Sequence, residues 1–259
     1  MQRLMRTSRR MVLASFVTAL AWVAASFGGA AMARGADDIP GLKRLDPKQP
    51  LWLDAARKRV VMVGEVCLRE GQLEMLVCPR GSKEHESVLS VPVEPYKVHA
   101  ALLAVGAEPG NPARFVPDYQ PARGTQIDVW LFWTDEQGNR QRARAQDWVR
   151  HFGTQKSLEQ SWVFGGSGFW VDETTGKKHY QAEQGDFICV SNFPTAMLDL
   201  PIESSDKAGQ LAFDAFTERI PPLGTKVTIV LKPVLKGNAA KVEEGGEDAE
   251  RSEAEAKDE

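Results

Sequence analysis

The chain has 259 residues, 42% of them hydrophobic, with 32 Lys and Arg against 35 Asp and Glu. Its 22 Gly, 15 Pro and 3 Cys match neither a collagen or long coiled-coil repeat nor a disulfide scaffold. Length and apolar content suffice for one full hydrophobic core without covalent support.

Charge and hydropathy divide the chain before any element is read. Arg3, Arg6, Arg9 and Arg10 precede an uncharged run, Met11–Ala33, that ends in Ala31-Met32-Ala33. A basic start, an apolar stretch and small residues two apart mark residues 1–33 as an export signal. The same run is long enough to stay as an anchor, and Ser8-Arg9-Arg10-Met11-Val12-Leu13 approaches the twin-arginine export pattern. The expectation is an exported protein, periplasmic or secreted, that contacts membrane only if the segment is uncleaved. At the other end, Lys241–Glu259 holds nine acids and three bases and no aromatic residue. Such a stretch cannot bury enough apolar area to offset its ordering entropy, so 237–259 reads as a disordered acidic tail. The body between is nearly neutral and has no Lys/Arg run, which gives little electrostatic basis for binding nucleic acid.

A polar lead-in (34–50) opens onto Val60–Leu68 and Leu73–Cys78, two strand-like runs joined by Arg69-Glu70-Gly71-Gln72 as a hairpin turn. In that pairing Cys67 faces Glu74 and Cys78 faces Val63, too far apart for a disulfide. Pairing of either with Cys189 stays open, as does the alternative of inert buried thiols. Ser87–Val93 continues as a strand. Val98, Ala101, Leu102 and Val105 then recur at helical spacing between Pro95 and Gly106, which predicts a helix over Tyr96–Val105. Pro109, Pro112, Pro117 and Pro121 keep Gly106–Gly124 a loop.

Thr125–Trp133 and Arg140–Ala145 flank a turn at Asp135–Asn139 and read as a second hairpin. Ile127, Val129, Leu131 and Trp133 share one face of its first strand; Asp128, Trp130 and Phe132 share the other. Trp162–Phe164, Phe169–Asp172 and Phe187–Val190 are strand-like. Pro194–Leu198 reads as a helical turn, Gln210–Thr217 as a short helix and Thr225–Leu231 as a final strand. The pattern predicts an α+β fold: a single mixed domain over 51–236, mostly antiparallel β-hairpins with one or two short helices packed on the sheet.

The densest polar cluster is Arg80–Ser87. As an extended segment it sends Glu84 and Glu86 one way and His85 and Ser87 the other. Paired carboxylates can hold a cation or split their pKa values, and His85 beside Ser87 supplies a base and a nucleophile only if the fold positions a partner. Imidazole and carboxylate from His85, Glu86 and His99 suit a divalent metal chemically, but their spacing does not specify one. His99 alone fits a histidine packed within a helix. Gly165-Gly166-Ser167-Gly168 reads by default as a tight β-turn, and the alternative is that its backbone N–H groups surround an anion. It lacks the Lys-Ser/Thr of a P-loop and the last Gly of a nucleophile elbow.

Cys78–Leu89 followed by Val98–Leu103 resembles the start of YdjY-domain proteins. Val129–Trp133, Ala145–Val149, Trp162–Ser167, Gly185–Ile188, Asn192-Phe193-Pro194 and Met197–Pro201 follow in that family's order. The resemblance covers Leu53–Pro201 and is greatest to secreted members from planctomycete-type bacteria. It implies no particular activity and marks Lys83–Ser87 and Val98–Leu103 as signature segments. Some relatives carry a ferredoxin-type label, but three cysteines cannot supply the usual four thiolates of an iron–sulfur cluster, so no cofactor is predicted. The expectation is a non-catalytic binding or structural module of the cell envelope. It would use Lys83, Glu84, His85, Glu86, Ser87, His99 and Ser167 to meet an envelope protein or a small ligand, not nucleic acid. The alternative is a hydrolase or metal-assisted enzyme using Glu86 and His85.

Overall fold

The structure, a computed structural model, describes residues 41–203 and 212–235. The expected export signal (1–33) and acidic tail (237–259) lie outside the described residues. Five strands precede the one α-helix described: β1 (Lys43–Arg44), β2 (Leu51–Asp54), β3 (Arg59–Val66), β4 (Met75–Pro79) and β5 (Ser87–Val91), then α1 (Pro95–Ala104). The next are β6 (Pro109–Asn111), β7 (Arg123–Gly124), β8 (Gln126–Thr134), β9 (Arg140–Arg144), β10 (Val149–His151) and β11 (Trp162–Phe164). β12 (Phe169–Val171), β13 (Lys178–Tyr180), β14 (Ile188–Cys189), β15 (Leu198–Asp199), β16 (Phe213–Ala215) and β17 (Lys226–Pro233) follow.

Strands β3, β17, β8, β11, β15, β14, β4 and β5 are hydrogen-bonded in that order, and β5 returns to β3. The result is a closed eight-stranded barrel. The fold is therefore mostly β, which corrects the expected α+β domain of hairpins with helices packed on a sheet. The reason is non-local pairing: β17 joins β3 from the far end of the chain, and the β4–β5 and β14–β15 pairs are parallel. A parallel pair has no hairpin turn between its strands to announce it.

The first expected hairpin fails for the same reason. β4 runs parallel to β5, with Val77 opposite Leu89 and Cys78 opposite Ser90, while the end of β3 places Glu65 opposite Ser90 from the other side. β5 thus stands between the two runs that the hairpin would have joined. The register argument that separated Cys67 from Cys78 does not apply; the Cys67 thiol donates to the Ser87 carbonyl at 3.0 Å. All three cysteines are free thiols. Closure also brings β3 close over β5: a Cβ on Gly64 would lie 2.5 Å from the Ser90 carbonyl oxygen, so only glycine fits there.

Local signals fared better. The β8–β9 hairpin forms with Leu131 opposite Ala143 and Phe132 opposite Arg142, and α1 buries Pro95, Val98, Ala101 and Leu102. Two expected helical pieces read differently among the described residues: Pro194-Thr195 is a turn leading into β15, and of the expected helix Gln210–Thr217, residues 210–211 lie outside the described residues while Phe213–Ala215 pairs with β10 as strand. The main core gathers Val60 and Met62 of β3, Ile127, Val129 and Leu131 of β8, and Val227, Ile229 and Leu231 of β17. Each such side chain, fully buried, contributes roughly 1.5–3 kcal/mol. Trp162 completes this core, its indole N–H donating to the Cys189 carbonyl at 2.7 Å. A second, smaller apolar layer lies on the opposite side of the wall, where Trp52, Val61 and Val230 pack with Leu42, Val63 and Trp130.

Candidate functional site

Between β4 and β5 the chain does not stay extended. Glu84–Glu86 wind into one 3-10 turn, so the alternating faces expected for this segment do not arise. Glu84 folds back to accept from the Gly81 N–H. His85 points to solvent, 77% exposed, with Glu86 at 3.8 Å. Ser87 starts β5 fully buried, and its hydroxyl donates to the Leu89 carbonyl at 2.9 Å. The base and nucleophile weighed from sequence are therefore not brought together.

Lys83 is the centre of the cluster. Its stem lies across Gly185, whose φ is +132° and where a Cβ would sit 2.6 Å from Lys83 Cδ. The flat approach carries Nζ to 3.1 Å from Glu74, 3.3 Å from Asp186 and 3.4 Å from Glu86. The Phe193 ring centre is 4.5 Å away. Burial opposes the ammonium charge, but Asp186, Glu74 and Glu86 outweigh it and push the Lys83 pKa up. Burial, aided by Glu86, pushes the Glu74 carboxyl up against the pull of Lys83. An internal cation thus occupies the position that three carboxylates would offer a metal. Among the described residues no group of three or more His, Cys, Asp or Glu is arranged to hold a metal ion.

The cluster extends inward through hydrogen bonds. The Thr195 hydroxyl donates to Asp186, and the Thr195 carbonyl accepts from the Ser167 hydroxyl at 2.6 Å. Ser167 sits at a φ of +55° in the glycine-rich turn, its N–H donating to the Ala196 carbonyl at 3.0 Å. On the far side of that turn, Gly166 accepts from the Tyr180 hydroxyl at 3.0 Å, and Tyr180 lies 2.9 Å from His99 Nδ1. The His99 ring packs edge-on against Phe164 and Tyr180 at 4.8 and 5.5 Å between ring centres, and burial lowers its pKa. His99 therefore belongs to a packed aromatic contact, as the packed-helix alternative holds, and joins neither His85 nor Glu86 directly.

Of the expected residues, Lys83 and Glu86 meet directly, and Ser167 and His99 join them only through intervening groups. Glu84 and His85 lie on the outer side and Ser87 in the core. Glu74, Asp186, Phe193, Thr195 and Tyr180 were not singled out from sequence. Gly185-Asp186 and Asn192-Phe193-Pro194 stand within the runs that carry the family resemblance, which is the one signal that pointed to them.

The family model for the YdjY domain matches residues 51–232, from the start of β2 to within one residue of the end of β17. No curated protein and no solved structure matches the chain.

Proposed function

The chain belongs to the YdjY domain family, and from that premise we propose that it is a non-catalytic binding module of the cell envelope whose contact surface is the outer edge of the Lys83 cluster. The observation that carries this reading is how completely the cluster is partnered from within. Lys83 is shared among three carboxylates, and the Ser87 and Ser167 hydroxyls are spent on main-chain carbonyls. Toward solvent stand His85 and, each in part, Lys83, Glu74, Glu86 and Phe193. A surface ordered in advance loses little conformational freedom on binding, which suits recognition. The export signal read from residues 1–33 supports an envelope location.

The 3.8 Å approach of His85 to Glu86 favours one second reading, a hydrolase using those two groups. Sedimentation of the purified protein with isolated cell envelopes separates the two. Saturable binding that weakens about tenfold in a His85→Glu variant of unchanged Tm is the expected result. Absence of saturable binding, or hydrolase turnover that Glu86→Gln abolishes, would overturn it.

A further inference from the structure

The outward side of the wall formed by β2, β3, β17, β8 and β9 carries a second constellation, assembled by strand register. Inward Ile127, Val129 and Leu131 leave Asp128, Trp130, Phe132 and Thr134 outward on β8. Cross-strand partners share a face. Arg144 therefore stands beside Trp130, Arg142 beside Phe132 and Arg140 beside Thr134. On the other flank, Val230 and Thr228 of β17 adjoin Trp130 and Phe132, with Val61 and Val63 of β3 beyond them. An apolar floor thus runs across the face, bordered by three arginines spaced two residues, or about 6.8 Å, apart.

Charge on this face is lopsided. The outward positions of β2, β3, β8, β9 and β17 hold six bases, Arg59, Arg140, Arg142, Arg144, Lys226 and Lys232, against the acids Asp54, Glu65 and Asp128; Arg59 pairs with Asp54 and Lys226 with Glu65. The chain as a whole carries a formal −3. Arg140, Arg142 and Arg144 are exposed and enter no ion pair among the described residues. A groove of about 610 Å³ crosses the face, with Arg59, Arg140 and Lys226 lining it beside Val61, Phe132 and Val230, and no acid in its wall. β9 pairs with β8 alone, so its arginines also discourage another strand from adding there. That protective role does not account for Phe132, 38% exposed on the adjoining strand.

We infer that this face binds an anionic polysaccharide. Arg140, Arg142 and Arg144 take its carboxylates or sulfates, and the C–H faces of its sugars lie against Phe132 and Trp130. A guanidinium fork matches such oxygens two at a time, which a lysine ammonium cannot do. A regular row of arginines suits a linear polymer better than a single small anion. Trp130 is half-buried and Phe132 shows part of its ring. They offer partial apolar faces rather than the open platforms on which successive nucleobases stack. The export signal read from sequence favours a polymer met outside the cytoplasm. The face shares no residue with the Lys83 cluster, so the two binding surfaces stand or fall separately.

The test titrates the purified protein with polygalacturonate and dextran sulfate, using uncharged dextran and poly(dT) as comparators, with calorimetric readout. The expected result is saturable binding to one or both charged polysaccharides, weakening with added salt, and none to dextran. Preference for polygalacturonate assigns carboxylate recognition, and preference for dextran sulfate assigns sulfate. Arg140→Gln/Arg142→Gln/Arg144→Gln should lose about tenfold or more in affinity at unchanged Tm; if it does not fold, Arg142→Gln alone should show a smaller loss. Phe132→Ser, which keeps every charge, should weaken binding several-fold, whereas a Glu86→Gln variant should bind as the wild type. Tighter binding to poly(dT), unchanged affinity in the arginine variants or in Phe132→Ser, or no binding to either charged polysaccharide would overturn the inference.

Discussion

Asp199 is buried completely within the barrel wall, where burial pushes its carboxyl up to about 7. It does so against hydrogen bonds accepted from Asn192 Nδ2 at 3.0 Å and from the Leu200 N–H at 2.8 Å. These bonds tie the loop that carries Phe193 to β15. An acid whose folded pKa exceeds its unfolded value, near 3.9, holds more protons folded than unfolded between those limits. Its contribution is therefore favourable below about pH 4 and is lost as pH rises through about 7. The wild type should accordingly melt at a lower temperature at about pH 8 than at about pH 5, and Asp199→Asn should show a smaller difference, in thermal scans at both values. Equal slopes would assign the pH dependence to other groups. At this scale the polar residues were legible as a cluster but their roles were not. Ser87 and His85 are two apart in the chain, yet one faces the core and the other solvent, because a single 3-10 turn intervenes.

Among the elements, closure of β5 onto β3 is the step that makes a barrel of the sheet, and Gly64 permits it. In Gly64→Ala the new Cβ would meet the Ser90 carbonyl oxygen at 2.5 Å and Val91 Cγ1 at 2.7 Å. The first is backbone, so the strands must part. The expected loss is about 3 kcal/mol, or a fall in Tm of about 6–12 °C by scanning calorimetry; a Tm close to wild type would show that β3 and β5 can slide apart freely. Helix α1 and the β8–β9 hairpin were readable because their signals are local: Pro95 and Gly106 around a 3.6-residue period, and a short turn between alternating runs. The pairings of β3 with β17 and of β4 with β5 have no such local mark, since side-chain alternation says which face is buried but not which strand lies alongside.

For the molecule as a whole, a ring of eight strands with one shared core predicts cooperative loss of structure. Trp148 and Trp162 lie inside the core, whereas Trp52 belongs to the outer layer. Tryptophan fluorescence and far-ultraviolet dichroism should therefore report one coincident denaturant transition; two separated transitions would make the outer layer an independent unit. The amino-acid sequence by itself determined the apolar alternation, the helix, one hairpin register and membership of the YdjY domain family, because each rests on neighbours in the chain or on the order of short runs. Only the tertiary structure decided that the sheet closes, that Lys83 meets Glu74 and Asp186, and that Arg140, Arg142 and Arg144 stand on one face with the bases of β3 and β17. Net charge is a sum indifferent to position, whereas the field a ligand meets depends on where strand register places each charge.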